Sequence, residues 1–429
     1  MSKRILLVSH CFAPQNKIGA VRPTKLAKYL LRMGYEVTVL CGKDLSTVID
    51  PLLMRDLDQL TDVHVVREKS LLRWWKERSL PAPADSHPVK KREGAEKARP
   101  LMNALYLYLA DRADAAFGRA CIREAKRMGR TFDVVLSTYG PPSVHTVARK
   151  VKRLGLAKRW IADFRDEAAV PFKWQSLRLK RYNRMVLRHA DRITSVSAGC
   201  LRVMGLEKSG RVIYNGYDPE DLGNFDTPPK RTDKLAFIHC GQMYGLQRDL
   251  SPFFRALSEL IREGEIAMES VALVYAGGDT RGFVMQATGA GLKDCLEGYS
   301  FMPRDESLKI QKSAHVLLLP VWNLRDRQGN IPGKLQEYMM LGMPVICCVS
   351  GGVPKSEIAG IIRDTNIGVC YEQTNHAEDY PRLREYIRCA IRAFHGGAPM
   401  PFTTSRNAVE GFTCEGMAGK MANIMEEWT

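Results

Sequence analysis

The sequence has no apolar run approaching the ~20 residues that span a bilayer; the longest, residues 314–322, is broken by His315. It has no C-x-x-C pair. Its eleven cysteines, an odd number, are scattered, and Cys347-Cys348 lie together inside a strand-like apolar stretch. That spacing speaks against a disulfide framework or zinc site and predicts the reduced, buried thiols of a cytosolic protein. The start lacks a secretory pattern: Met1-Ser2-Lys3-Arg4 leads straight into Ile5-Leu6-Leu7-Val8, which reads as a buried first strand, so a cytoplasmic location is expected. Recognition-helix, zinc-finger and RRM signatures are missing, and no internal repeat is evident. The only D-x-D, Asp56-Leu57-Asp58, lies in a helical-looking region and reads as coincidence; no metal is expected.

Acidic residues are scarce in one half only. Through Gly210 there are 41 Lys and Arg against 20 Asp and Glu, leaving 23 and 27 for the remainder, so the net +17 belongs to the N-terminal half. Such asymmetry suits a polyanion, either a phospholipid surface or a nucleic acid, and equally a basic solvated surface without a partner. Hydrophobic residues make up 45% and charged residues 26% of 429, an ordinary soluble composition too long for one core, so two domains of roughly 200 residues are expected.

The pattern along the chain is strand, helix, strand. Ile5 to Ser9 reads as a strand, followed by a loop with Pro14 and Gly19. A helix over 23–33 closes at Gly34, and a strand follows at Glu36-Val37-Thr38-Val39-Leu40. Further strands are predicted at 63–66, 134–137, 160–163 and 193–196, with helices over 101–128 and 176–188. Residues 71–100 break the rhythm with Trp74-Trp75, Pro81, Pro83, Pro88 and Lys90-Lys91-Arg92, and read as a mobile basic and aromatic insertion. After the linker Thr227-Pro228-Pro229-Lys230 the pattern restarts, with strands at 236–239, 271–275, 316–319 and 344–349 and a helix over 250–263. The architecture expected is α/β, two Rossmann-like domains in tandem.

Ile331-Pro332-Gly333-Lys334-Leu335-Gln336-Glu337-Tyr338 opens a helix. Its free N–H groups and dipole suit a diphosphate, Lys334 adds charge in the first turn, and Glu337 one turn on suits a ribose diol. The same residues would also serve as an ordinary amphipathic helix start with solvated Lys and Glu.

The string Pro332-x-Lys334-x-x-Glu337-Tyr338-x-x-x-Gly342-x-Pro344-Val345-Ile346, followed by Ser350-Gly351-Gly352, resembles the donor-site signature of family 4 glycosyltransferases, retaining GT-B enzymes of bacterial surface polysaccharide synthesis. Cys11-Phe12-Ala13-Pro14 with Gly19-Ala20-Val21-Arg22, Pro141-Pro142-Ser143, Asp163-Phe164-Arg165-Asp166, Ser195-Val196-Ser197, residues 213–218, Gly277-Gly278 and residues 298–303 and 314–320 agree in order, so the resemblance runs nearly the whole chain. It implies the GT-B fold, two Rossmann-like domains facing across a cleft. Residues 1–225 would form the acceptor side with an insertion near 70–100, 226–408 the donor side, and 409–429 a helix returning to the first domain.

It further implies a sugar moved from a nucleotide diphosphate donor, UDP-sugars favoured, to a hydroxyl of a lipid-linked or glycan acceptor, with no cofactor required. Glu337 resembles the second of the family's two glutamates; the first, which holds the sugar, falls at Gly329, leaving Asn330 or backbone N–H groups for that task. Lys334 and Arg248 would stabilise the leaving phosphate. Arg248 lies in the loop from Gly241 to Asp249, and its alternative partners are Asp249 and Asp279. Gly333, Gly241 and Gly19 would let backbone approach the donor, and Arg22 would add charge. Asp163, Arg165 and Asp166 are candidates for orienting the acceptor or for structural pairing, and His145 for touching sugar or acceptor, with a helix-surface histidine as its alternative. For retaining relatives the leaving phosphate takes the incoming hydroxyl's proton, so no side-chain base is named. Trp74-Trp75 among basic residues suits peripheral attachment to an anionic membrane at its inner face; the alternative is a pair of core tryptophans. No specific nucleic acid is expected. The alternatives are a GT-B-like nucleotide-sugar epimerase or an inactive binding scaffold and, after these, a basic nucleic-acid-binding protein.

Overall fold

The structure, a computed structural model, describes residues 3–43, 49–79, 99–166, 175–223, 231–244, 247–278, 280–300, 302, 304–396, 402 and 406–428. It divides into two compact units, Met1–Thr194 with Met421–Thr429, and Ser195–Lys420.

The first sheet contains β1 (Arg4–Ser9), β2 (Glu36–Gly42), β3 (Val63–Val66), β4 (Phe132–Thr138), β5 (Ala157–Phe164), β6 (Arg192–Ser195) and β7 (Gly210–Val212), in the order β3-β2-β1-β4-β5-β6-β7. The strands from β3 to β5 pair in parallel. Helices α1 (Ile18–Arg32), α2 (Pro51–Leu57), α3 (Leu71–Ser79), α4 (Arg99–Arg127), α5 (Ser143–Arg153) and α6 (Gln175–His189) accompany them, and α7 (Ala198–Met204) follows β6. The strands are legible because a parallel sheet covered on both faces needs unbroken apolar runs: Ile5, Leu6, Leu7 and Val8 are all fully buried, as are Val135, Leu136, Trp160 and Ile161.

The second sheet contains β8 (Leu235–Cys240), β9 (Val271–Ala276), β10 (Leu296–Tyr299), β11 (Val316–Trp322), β12 (Val345–Ser350) and β13 (Gly368–Glu372). All pairs are parallel, in the order β10-β9-β8-β11-β12-β13. Its helices are α8 (Ser251–Arg262), α9 (Arg281–Gly289), α10 (Arg304–Lys312), α11 (Gly333–Leu341), α12 (Glu357–Thr365), α13 (His376–Phe394) and α14 (Arg406–Glu410), and α15 (Cys414–Glu426) begins in the second unit and ends in the first. One face of the sheet packs Phe237, Leu273 and Leu318 against Phe253, Phe254 and Leu257 of α8; the other packs Leu317, Val345 and Cys347 against Leu335 and Tyr338 of α11. In each sheet the order reverses beside the first strand, β1 against β4 and β8 against β11, and the crevice beyond the strands' carboxyl ends at that switch is where open α/β sheets bind ligands.

Two expectations are corrected here. The first helix begins at Ile18, not Pro23, which sits inside it. The stretch from Leu71 is not irregular at its start but forms α3, and Trp74 and Trp75 are half exposed rather than in a core. The remainder of that stretch with Pro81, Pro83, Pro88 and Lys90-Lys91-Arg92, and the linker Thr227-Pro228-Pro229-Lys230, lie outside the described residues. Asp56 of the D-x-D is buried and paired with Lys25 at 2.7 Å and Lys28 at 2.8 Å. All eleven cysteines are free thiols, and among the described residues no helix is long and apolar enough to cross a membrane.

Candidate functional site

In the second unit, the polar groups gather at the β8/β11 switch. Pro332, extended at φ −63° and ψ 143°, is the N-cap of α11; no side chain caps that end, and Gly342 closes the helix in the left-handed region at φ 63°. The first turn therefore presents backbone donors and a positive dipole end. Lys334 in that turn reaches Glu337 Oε2 at 2.6 Å. Glu337 is buried, and Arg304 at the start of α10 donates to its Oε1 at 3.2 Å, while Gln311 Nε2 stands 3.4 Å from Oε2. Burial disfavours the charge, but Lys334 and Arg304 outweigh it and hold the Glu337 pKa down at about 2. Glu337 is thus a fixed anion whose two oxygens are both engaged by the protein. Arg304 was not singled out from sequence; the only linear signal is a basic residue opening the helix after the 298–303 segment.

The loop leaving β8 supplies the second cation. Arg248 Nη1 donates to the Gln242 carbonyl at 2.9 Å, and the guanidinium lies 4.8 Å from the Tyr244 ring centroid and 5.3 Å from that of Trp322. Two aromatic faces hold the charge without neutralising it. Among the described residues no carboxylate pairs with Arg248; Asp249 instead accepts the Ser251 N–H at 2.8 Å, and Asp279 lies outside the described residues. Gly241, at φ +147°, accepts the Tyr275 hydroxyl at 2.6 Å. Behind it His239 is fully buried, and its Nδ1 donates to the Leu318 carbonyl at 2.9 Å. A carbonyl only accepts, so Nε2 carries the bare lone pair, and no partner meets it among the described residues. Burial drives this imidazole's pKa down to about 3, so it is neutral.

Gly329 explains itself sterically. Its φ is +69°, and a Cβ there would sit 2.5 Å from Ser197 Oγ and 2.7 Å from Gly199 Cα. Ser197 Oγ is in use, accepting from Cys200 N–H to cap α7, and Glu357 binds the N–H groups of Ala198 and Gly199 at 2.9 and 3.0 Å. The backbone at 329 is pressed onto this capped helix start, so no carboxylate fits. Asn330 beside it is half-buried.

In the first unit the sequence candidates are brought together, largely by binding one another. Arg22 and Asp163 form a buried bidentate pair at 2.9 and 2.8 Å, and Thr138 and Thr194 donate to the same carboxylate. Burial opposes the Asp163 charge; Arg22 and the two threonines hold its pKa below the usual carboxylate value. Arg165 donates to three backbone carbonyls: Tyr139 at 2.7 Å, Gly140 at 3.3 Å, and Gly19. The last contact follows from Pro23, which has no N–H to give the carbonyl four residues back, so the guanidinium fills the gap. Gly19 leaves little space for more, since a Cβ there would lie 3.0 Å from Arg165 Nη1. Asp166 is exposed at the end of β5. His145 is not on a helix surface: it is fully buried among Tyr139, Trp160, Phe164 and Tyr182, with Nδ1 2.8 Å from Ser137 Oγ, and burial drives its pKa to about 3.

No protein-family model matches the sequence, and no curated protein matches it. Solved structures do match over the whole length. A glycosyltransferase from Rickettsia africae is 14% identical, with a TM-score of 0.56, covering 99% of this chain and 98% of that one. The lipopolysaccharide outer core galactosyltransferase WaaB is 12% identical, with a TM-score of 0.58 and 99% and 100% covered. Sucrose-phosphate synthase from Thermosynechococcus elongatus is 15% identical, with a TM-score of 0.58 and 99% of both chains covered. At such identity the likeness is one of fold, and together with the two parallel sheets it establishes the fold as GT-B, two Rossmann-like α/β units in tandem.

Proposed function

We propose that this protein is a retaining glycosyltransferase of the hexosyltransferase class, moving a sugar from a nucleotide diphosphate donor, UDP-sugars favoured, to a hydroxyl of a lipid-linked or glycan acceptor. The observation that carries the reading is the pair of cations at one switch point, Lys334 in the uncapped first turn of α11 and Arg248 held between two aromatic rings. Breaking the anomeric bond builds charge on the leaving diphosphate, and preorganised cations and helix amides lower that charge's energy more in the transition state than in the ground state. Gly333 and Gly241 admit the phosphates, the leaving phosphate receives the acceptor's proton, and Glu337 keeps Lys334 in place while facing the ribose. Residues 1–225 form the acceptor side, with Asp166 its exposed carboxylate, and residues 226–408 the donor side. The fold neighbours that bear glycosyltransferase names support the class, and the lipopolysaccharide outer core galactosyltransferase among them supports a role in polysaccharide synthesis; a peripheral position at the membrane's inner face is supported by the half-exposed Trp74 and Trp75 among basic residues.

A second reading, a nucleotide-sugar-binding scaffold without transfer, is favoured by the closed backbone at Gly329. The two are separated by incubating the protein with UDP-, GDP- and ADP-sugars, with and without a bacterial lipid extract, and measuring nucleoside diphosphate release. Transfer predicts release from one donor, raised by the extract and lowered about a hundredfold in Lys334→Ala. No release from any donor contradicts transfer and leaves the scaffold.

A further inference from the structure

Helix α3 is amphipathic the wrong way round. Residues three and four apart share a face, and on α3 that face is Leu71, Trp74 and Trp75, exposed by 63%, 50% and 53%. The opposite face buries Leu72 and Arg73. α4, against which α3 packs, repeats the theme: Leu105, Tyr106 and Tyr108 are about half exposed, and Arg112, also exposed, continues the stripe of Leu105 and Tyr108. Val65 of the edge strand β3 is exposed as well. A soluble surface scatters its large apolar groups; this many on neighbouring elements marks a contact surface.

The chemistry of the patch selects its occupant. Two indoles and two phenols pair apolar bodies with polar tips, the combination suited to headgroup depth. Arg67 and Lys69, just before α3, are exposed, whereas the acid between them, Glu68, is bound by Arg73 at 2.8 Å. Residues 67–73 thus carry three basic side chains against one acid, on the half of the chain that holds 41 basic against 20 acidic residues. We propose that the exposed face of α3 at Leu71, Trp74 and Trp75 and the adjoining stretch of α4 from Leu105 to Arg112 form the surface by which this protein lies on an anionic lipid bilayer, Leu71, Trp74 and Trp75 entering the interface and Arg67, Lys69 and Arg112 meeting lipid phosphates. This rests on the peripheral-membrane part of the proposed function and assigns it to a surface; nucleotide binding in the second unit is read independently.

The test is co-sedimentation of the full chain with phosphatidylcholine vesicles with or without phosphatidylglycerol, alongside tryptophan emission. Expected is binding that requires phosphatidylglycerol and weakens with salt, with a blue shift of emission. Trp74→Ala/Trp75→Ala should weaken it at least about tenfold, Arg67→Gln/Lys69→Gln should weaken it and flatten its salt dependence, and Met285→Ala, an exposed control in the second unit, should leave it unchanged. Thermal melts identify any variant that fails to fold, and for such a variant Trp74→Phe/Trp75→Phe, retaining partial binding, takes its place. Equal partition of wild type and both double variants overturns the proposal. So does a self-association, or binding to duplex DNA, that the tryptophan substitutions abolish while vesicle binding persists.

Discussion

At the scale of single residues, two positions decide how the sequence is understood. Gly329 stands where the resembling family places a sugar-holding glutamate, and the reason is local: a left-handed φ and the start of α7 within 3 Å. Gly329→Ala is therefore predicted to cost about 1–3 kcal/mol from a strained φ and overpacking together, read as a lowered denaturation midpoint; unchanged stability would mean the contact with Ser197 and Gly199 is not made. His145 shows the opposite lesson. Its neighbours Val144, Val147, Ala148 and Val151 mark the helix's buried side from sequence alone, yet His145 is buried too. Tyr182, 37 positions onward on α6, stacks over it, and no helical period predicts that.

At the scale of elements, strands were legible because parallel strands advertise themselves as apolar runs. β13 was not, since Gly368-Val369-Cys370-Tyr371-Glu372 is only partly buried. The start of α1 was misplaced because proline favours the first helical position, whereas here the carbonyl left open by Pro23 is answered by Arg165, the residue after β5. Helix α11 was placed correctly from Pro332 to Gly342, but the Arg304 that pairs with its Glu337 was invisible, since nothing linear joins residue 304 to 337. That partnership has a pH signature. The Glu337 pKa is depressed to about 2, so its contribution, about 3 kcal/mol, is fully present above the unfolded value near 4.5 and is lost as pH falls toward 2. The stability gap between wild type and Glu337→Gln should narrow across that window in denaturant titrations. A gap constant with pH would show that the carboxylate charge is not what Lys334 and Arg304 hold.

At the scale of the molecule, chain length, alternation of elements and the segregation of basic residues into one half were all readable. What long-range pairing does to the candidate residues was not: Arg22, expected to add charge at the donor, and Asp163, a candidate for orienting the acceptor or for structural pairing, lie 141 positions apart and bind each other. The functional case consequently rests on the second unit, where Lys334, held by Glu337, stands in the uncapped first turn of α11 and Arg248 lies between two aromatic rings. The most direct measurement is a calorimetric titration of UDP, GDP and ADP into the full-length protein and into Lys334→Gln and Arg248→Gln. The prediction is saturable binding of one nucleotide at one site per chain, weakened about tenfold or more in each variant. Binding of none of the three, or equal affinity in wild type and both variants, would contradict it.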